Sequence, residues 1–154
     1  MIVIPPNRVR IKMCGMTRRE DVVYATSLGV DALGFIFYSR SKRYVSVDQA
    51  KKLLANVSPL ITYVAVLVNP DISFVEEIVT TLPNISCLQF HGDETPGFCE
   101  QFNMPYIKAI PARSKDYITE QMRRYSTACG VLIDTPGADY FGGTGKAFDW
   151  DIVP

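Results

Sequence analysis

The sequence predicts an α/β protein built on a parallel sheet wrapped by helices. Two observations carry this. Apolar, β-branched runs alternate with capped helical stretches about every 20–30 residues, the rhythm of strand–helix–strand units. Several runs are nearly continuous in apolar residues, as strands covered on both faces are. The pattern has two closures, an open doubly wound sheet or a barrel of eight strand–helix units. Both place function at the C-terminal ends of the strands.

Val9 to Met13 is the first strand, ending at Cys14-Gly15. Thr17-x-x-Glu20 reads as a capping box that opens a helix carrying Val22, Val23, Ala25 and Leu28, with Gly29 as its stop. Ala32 to Phe37 is the second strand, followed by the basic loop Ser39-Arg40-Ser41-Lys42-Arg43. Ser46-x-x-Gln49 is a second capping box, ahead of Ala50, Leu53 and Leu54. Tyr63 to Val68 is the third strand, closed by Asn69-Pro70. Ser73-x-x-Glu76 is a third box, and Pro83 ends the helix it opens. Ser86 to Phe90 is the fourth strand, ending at His91-Gly92. Thr95 caps a short helix with Pro96 at its first position. Tyr106 to Ile110 is the fifth strand, Tyr117 to Tyr125 the fifth helix, and Gly130 to Ile133 the sixth strand, ending at Asp134. No linker or low-complexity tract divides residues 1–154, so a single domain is expected.

Composition narrows the function classes. The chain has 154 residues, with 16 Lys+Arg balanced by 16 Asp+Glu. No net charge steers it toward nucleic acid or an acidic membrane surface. The longest apolar stretch, Leu60 to Val68, is far shorter than the ~18 residues a membrane span needs. Met1 to Pro6 is too short for a secretory apolar core. The four cysteines, at 14, 87, 99 and 129, form no Cys-x-x-Cys, and His91 is the only histidine, which argues against a zinc site. Free thiols in a reducing cytoplasm are expected, with an oxidised pair left open.

Chemistry-bearing residues fall at the strand ends. Cys14 precedes a helix N-terminus, which favours a thiolate, although a cysteine there also serves as a small apolar filler. Asp134 reads either as a turn-former or as an acid or base whose pKa burial raises. His91 titrates near neutrality or simply makes structural hydrogen bonds. Arg43 suits a carboxylate or phosphate. Asn69, Gln89 and Lys108 also stand at strand ends. Gly142-Gly143-Thr144-Gly145-Lys146 imitates a phosphate loop but fails its tests. Tyr140 replaces the first required glycine, Ala147 the hydroxyl residue, and Phe148 a dinucleotide-loop glycine. Its backbone amides could still wrap a small ligand.

Several segments in order carry a family resemblance. They are Lys12-Met13-Cys14-Gly15-Met16-Thr17, Asp31 to Phe35, Ser41-Lys42-Arg43-Tyr44-Val45, Val66 to Asn69, Leu88-Gln89-Phe90-His91-Gly92-Asp93-Glu94, Ile107-Lys108-Ala109, Leu132-Ile133-Asp134, Gly142 to Gly145 and Phe148-Asp149-Trp150. Together they resemble the phosphoribosylanthranilate isomerases of tryptophan biosynthesis. The resemblance implies a (β/α)8 TIM barrel and an Amadori rearrangement of N-(5-phosphoribosyl)anthranilate to 1-(o-carboxyphenylamino)-1-deoxyribulose 5-phosphate. It implies no metal and no organic cofactor. It makes Cys14 the general base and Asp134 the general acid. Arg43, Gln89, His91, Gly142, Gly143, Thr144 and Gly145 are then expected to bind substrate. Lys42 stands where the family usually has proline, and Phe90 where it has leucine.

Measured against that barrel, the chain supplies six strands and five complete helices and ends at Pro154. The phosphate site of such barrels lies in the loops after strands 7 and 8. The expectation is therefore a C-terminally truncated, poorly active barrel, monomeric or homodimeric at full length. The alternatives are a self-associating inactive fragment and another phosphosugar-binding barrel enzyme.

Overall fold

The computed structural model describes residues 9–135 and 147–154. Its elements are β1 (Lys12–Cys14), α1 (Arg19–Ser27), β2 (Ala32–Ile36), α2 (Val47–Leu53), β3 (Thr62–Leu67), α3 (Ile72–Thr81), β4 (Ile85–Phe90), α4 (Pro96–Glu100), β5 (Tyr106–Pro111), α5 (Lys115–Arg124) and β6 (Gly130–Asp134), with a 3₁₀ turn at Trp150–Ile152. The six strands are all parallel and lie in the order β1-β2-β3-β4-β5-β6. A doubly wound sheet needs a reversal in strand order, and none occurs among these strands. A sequential parallel order with right-handed crossovers keeps every helix on one face. The result is a curled half-barrel with five helices outside.

Strand alternation divides the buried residues into two groups. Leu33, Phe35, Tyr63, Ala65, Leu67, Leu88, Phe90 and Tyr106 face the helices and meet Val22, Ala25, Ala50, Leu53, Val75, Ile78, Cys99 and Tyr125. Ile36, Val64, Val66 and Cys87 face the concave side, with Cys14, Ala32, Tyr38 and Ile107 packed on them. Both faces of the central strands are therefore covered, which is why the strands read as unbroken apolar runs.

Helix starts follow the cap geometry, and two expected capping boxes do not form. Ser46 and Gln49 make the reciprocal pair at 3.2 and 2.9 Å. Thr95 accepts the Phe98 amide, and Ser114 caps α5, whose start at Lys115 lies two residues ahead of the expected Tyr117. Thr17 instead lies outside the cap position, which Arg18 occupies with no side-chain cap bond. Ser73 lies inside α3, because Asp71 takes the extended cap conformation. The first strand is also shorter than Val9 to Met13. Only Lys12, Met13 and Cys14 register against Ala32, Leu33 and Gly34.

One polar network ties the strand ends together. The Lys108–Glu94 pair closes at 3.1 Å with side chains only 4% and 2% exposed. The Lys108 ammonium also donates to the carbonyls of Phe90 and Gly92. Glu94 accepts the amides of Asn69 and Gly92, and the Tyr125 hydroxyl donates to its carbonyl. Asn69 holds φ of +46° and accepts the Asp93 amide at 2.7 Å. Gly92 leaves room for this; a methyl group there would sit 2.9 Å from the Asn69 nitrogen and overlap its side chain. The ends of β3, β4 and β5 are thus bonded to one buried carboxylate. Removing one partner of a buried pair strands the other charge, at a cost of about 3–5 kcal/mol. Glu94→Ala is expected to lower the urea unfolding free energy by that amount, whereas a surface control, Glu77→Ala, stays within about 0.5 kcal/mol.

Candidate active site

The site has two halves, each built at strand ends. In the first, Cys14 closes β1. The chain then turns through Gly15, whose φ is +86°, and the Gly15 and Met16 amides both donate to the Gly34 carbonyl, at 2.8 and 3.0 Å. Glycine is needed at position 15 twice over. L side chains rarely adopt that φ, and a methyl group there would lie 2.7 Å from Cδ and Nη1 of Arg43. The Arg43 side chain lies across Gly15 and donates from Nη1 to the Cys14 carbonyl. Gly34 has the same role on β2, since a methyl group on it would come within 2.9 Å of Cys14 Sγ. Two glycines thus let the thiol and the guanidinium settle together.

The second half is a chain of hydrogen bonds. Gln89 Nε2 donates to His91 Nδ1 at 2.9 Å, and His91 Nε2 bonds Asp134 Oδ2 at 2.9 Å. With Nδ1 accepting from the amide, Nε2 carries the proton toward the carboxylate. The Thr135 amide donates to the other carboxylate oxygen, Oδ1, at 2.9 Å. Backbone bonds fix both ends of this chain. The His91 amide donates to the Leu67 carbonyl, and the Ala112 amide to the Asp134 carbonyl. Gln89 is 1% exposed, and its Oε1 has no partner among the described residues.

This arrangement corrects one expectation. Burial alone would raise the Asp134 pKa, but the His91 hydrogen bond outweighs it and the carboxyl lies below its ordinary value. The aspartate is therefore set to hold a negative charge beside the imidazole. His91 takes the hydrogen-bonding role, between Gln89 and Asp134.

Cys14 and Arg43 are brought together, as are Gln89, His91 and Asp134. Lys108 is committed to Glu94 and to carbonyl oxygens, and Asn69 to the strand-end network. Gly142, Gly143, Thr144 and Gly145 lie outside the described residues. Glu94 is not among the expected site residues, since its position in the Leu88-to-Glu94 segment gives no local sign that its carboxylate is buried. Among the described residues no group of three His, Cys, Asp or Glu could hold a metal ion. None of their helices is long and apolar enough to cross a membrane. All four cysteines are free thiols.

Comparison with known proteins agrees with this geometry. The family model described as N-(5'-phosphoribosyl)anthranilate (PRA) isomerase matches residues 11–154. The enzyme of that name from Legionella pneumophila (strain Paris) is 50% identical over 149 residues, covering 97% of this chain and 72% of the relative. The crystal structure of phosphoribosyl anthranilate isomerase from Thermotoga maritima superposes with a TM-score of 0.84 at 31% identity, over 94% of this chain and 70% of that one. A second isomerase structure, in complex with reduced 1-(o-carboxyphenylamino)-1-deoxyribulose 5-phosphate, has a TM-score of 0.77 at 29% identity, over 84% of this chain and 66% of that one. Motif order, strand order and these likenesses converge, and the chain belongs to the N-(5'-phosphoribosyl)anthranilate isomerase family.

Proposed function

We propose that the chain isomerises N-(5-phosphoribosyl)anthranilate to 1-(o-carboxyphenylamino)-1-deoxyribulose 5-phosphate in tryptophan biosynthesis, with Cys14 as base and the His91–Asp134 pair as acid. Family membership supports the reaction. The observation that carries the residue roles is the 2.9 Å bond between His91 Nε2 and Asp134 Oδ2 at the end of β6.

Opening the furanose requires a proton on the ring oxygen. A lowered aspartate pKa makes Asp134 alone a poor proton reservoir near neutrality. The pair solves this. A proton taken up on the Oδ2 lone pair that His91 leaves free passes to the sugar oxygen, and the His91 Nε2–H bond stabilises the carboxylate left behind. The ring-opened Schiff base then acidifies the neighbouring C–H. The Cys14 thiolate takes that proton, the C–H electron pair forms the C1–C2 double bond and the C–N π pair moves onto nitrogen, giving an enolamine. The enol proton leaves, C1 is protonated, and the ketose results. Arg43 has five N–H donors, one of them given to the Cys14 carbonyl, and its guanidinium is suited to fork the anthranilate carboxylate.

In this reading the six units are the first six of a closed (β/α)8 barrel forming one domain. The sequential strand order and the fit to 70% of the Thermotoga chain support it. Four free thiols support a reducing, cytoplasmic setting.

The test is turnover by the purified chain, followed by chromatography of the ketose product, and growth of a tryptophan auxotroph carrying it. Cys14→Ala and Asp134→Asn are each expected to lower kcat about 10²–10⁴-fold; a near-wild-type rate in either would remove that role. His91→Ala is expected to raise the Asp134 pKa toward the ordinary ~3.9, read by NMR titration of the carboxyl carbon. The sign for stability follows. The His91–Asp134 bond stabilises the fold fully above the unfolded carboxylate pKa, and this is lost as pH falls through the lower folded value. The His91→Ala protein should lack that acid-side stability increment.

A further inference from the structure

We infer that Lys12 is a further substrate-contacting residue of this site, its ammonium donating a hydrogen bond to the sugar oxygen on the carbon that Cys14 deprotonates. The inference rests on the isomerase reading above.

The placement comes from β1. Lys12 and Cys14 are two residues apart on the strand, with the exposed Met13 between them turned to the opposite face. Cys14 packs with the concave-face residues of β2, β3 and β4. Lys12 therefore faces the same way, and its long stem lifts the ammonium to the level of the thiol. A methyl group at Gly34 would lie 2.9 Å from Cys14 Sγ and 3.2 Å from Lys12 Nζ. The two head groups thus flank one point on β2, where a glycine leaves them room. The Lys12 charge also reaches Cys87 on β4. Burial and the neighbouring Cys129 push that thiol up to about 12, while Lys12 pulls the other way.

What separates Lys12 from the other strand-end lysine is its partners. Lys108 is spent on Glu94, Phe90 and Gly92. Lys12 makes no hydrogen bond or ion pair with any described residue. The nearest carboxylate in the register, Asp31, receives the Ile11 amide and Arg10. Among the described residues, the charged and titratable groups that share this face with the thiol include Lys12 on its own strand, Tyr38 and Arg43 after β2 and Cys87 on β4. Lys12 is half-buried, and its three ammonium donors, unused by the described residues, are open to a ligand oxygen beside the thiol.

The chemistry has a place for that donor. As Cys14 takes the C2 proton, an S–H bond forms and a C–H bond breaks. The C–H electron pair becomes the C1–C2 double bond, and the C1–N π pair moves onto nitrogen, cancelling the Schiff-base charge. The C2 oxygen then loses its own proton as C1 gains one, and C2–O becomes a carbonyl. A fixed ammonium stabilises negative charge building on that oxygen during the transfer, which a donor aimed at a developing oxyanion does.

The experiment compares wild type with Lys12→Met, which keeps the stem and removes the charge, and Lys12→Arg, which keeps the charge. Lys12→Met is expected to lower kcat about 10²–10³-fold, the effect of losing one such donor, with KM changed only a few-fold. Lys12→Arg should recover part of the rate. Binding of reduced 1-(o-carboxyphenylamino)-1-deoxyribulose 5-phosphate should weaken in Lys12→Met. Unchanged kcat and analogue affinity in Lys12→Met overturn the inference, and so does a rise in KM alone. If Lys12→Met does not fold by circular dichroism, Lys12→Gln takes the same test with the same outcomes. A wild-type chain that neither turns over substrate nor binds the analogue instead overturns the isomerase reading, and this inference with it.

Discussion

Burying a carboxylate and an ammonium together is tolerable only when every remaining donor and acceptor is satisfied, and the Lys108–Glu94 pair meets that condition. Glu94 gathers amides from the loops after β3 and β4, while Lys108 reaches from β5 to carbonyls at the end of β4. The pair acts as a clamp on three consecutive strand ends. His91 stands directly beside this clamp, one residue before Gly92. Its ring meets Asp134 at 2.9 Å from a backbone held by the His91 amide bond to Leu67 and the Gly92 amide bonds to Glu94. The network that looks structural is thus what gives the acid pair its geometry.

The base side is organised differently. There the design uses missing side chains rather than added bonds. Gly15 and Gly34 each sit where a methyl group would collide with a working group, Arg43 in one case and Cys14 with Lys12 in the other. A thiol is easily displaced by a bulky neighbour, and a guanidinium needs a flat surface to lie on. Glycine supplies both kinds of room, and the Arg43 bond to the Cys14 carbonyl holds the turn closed. One half of the site is therefore fixed by hydrogen bonds and the other by vacancy.

Much of this was legible in the order of residues. Alternation of apolar runs with Ser46 and Thr95 caps placed the elements, because those signals act within one turn of chain. Signals of the same local kind misled at Thr17 and Ser73. The same short motif fits several starting points, and packing chose Arg19 and Ile72 as first helical residues. Cys14, Arg43, His91 and Asp134 stood out as polar or reactive groups at the ends of apolar strands. Glu94 did not, since nothing in Gly92-Asp93-Glu94 distinguishes a buried carboxylate from a solvated one.

The sequence by itself determined the parallel α/β class, the strand-end positions of the reactive groups and, through its ordered motifs, the family. These follow from periodicity and residue type, which short stretches of chain carry. The tertiary structure alone decided between a doubly wound and a sequential curled sheet. It also decided that Lys108 is occupied while Lys12 is left without an acceptor among the described residues. It reversed the direction of the Asp134 pKa shift as well. Each of these depends on which groups from distant segments come within a few ångströms. Coulomb and hydrogen-bond energies change over that distance by more than any local preference.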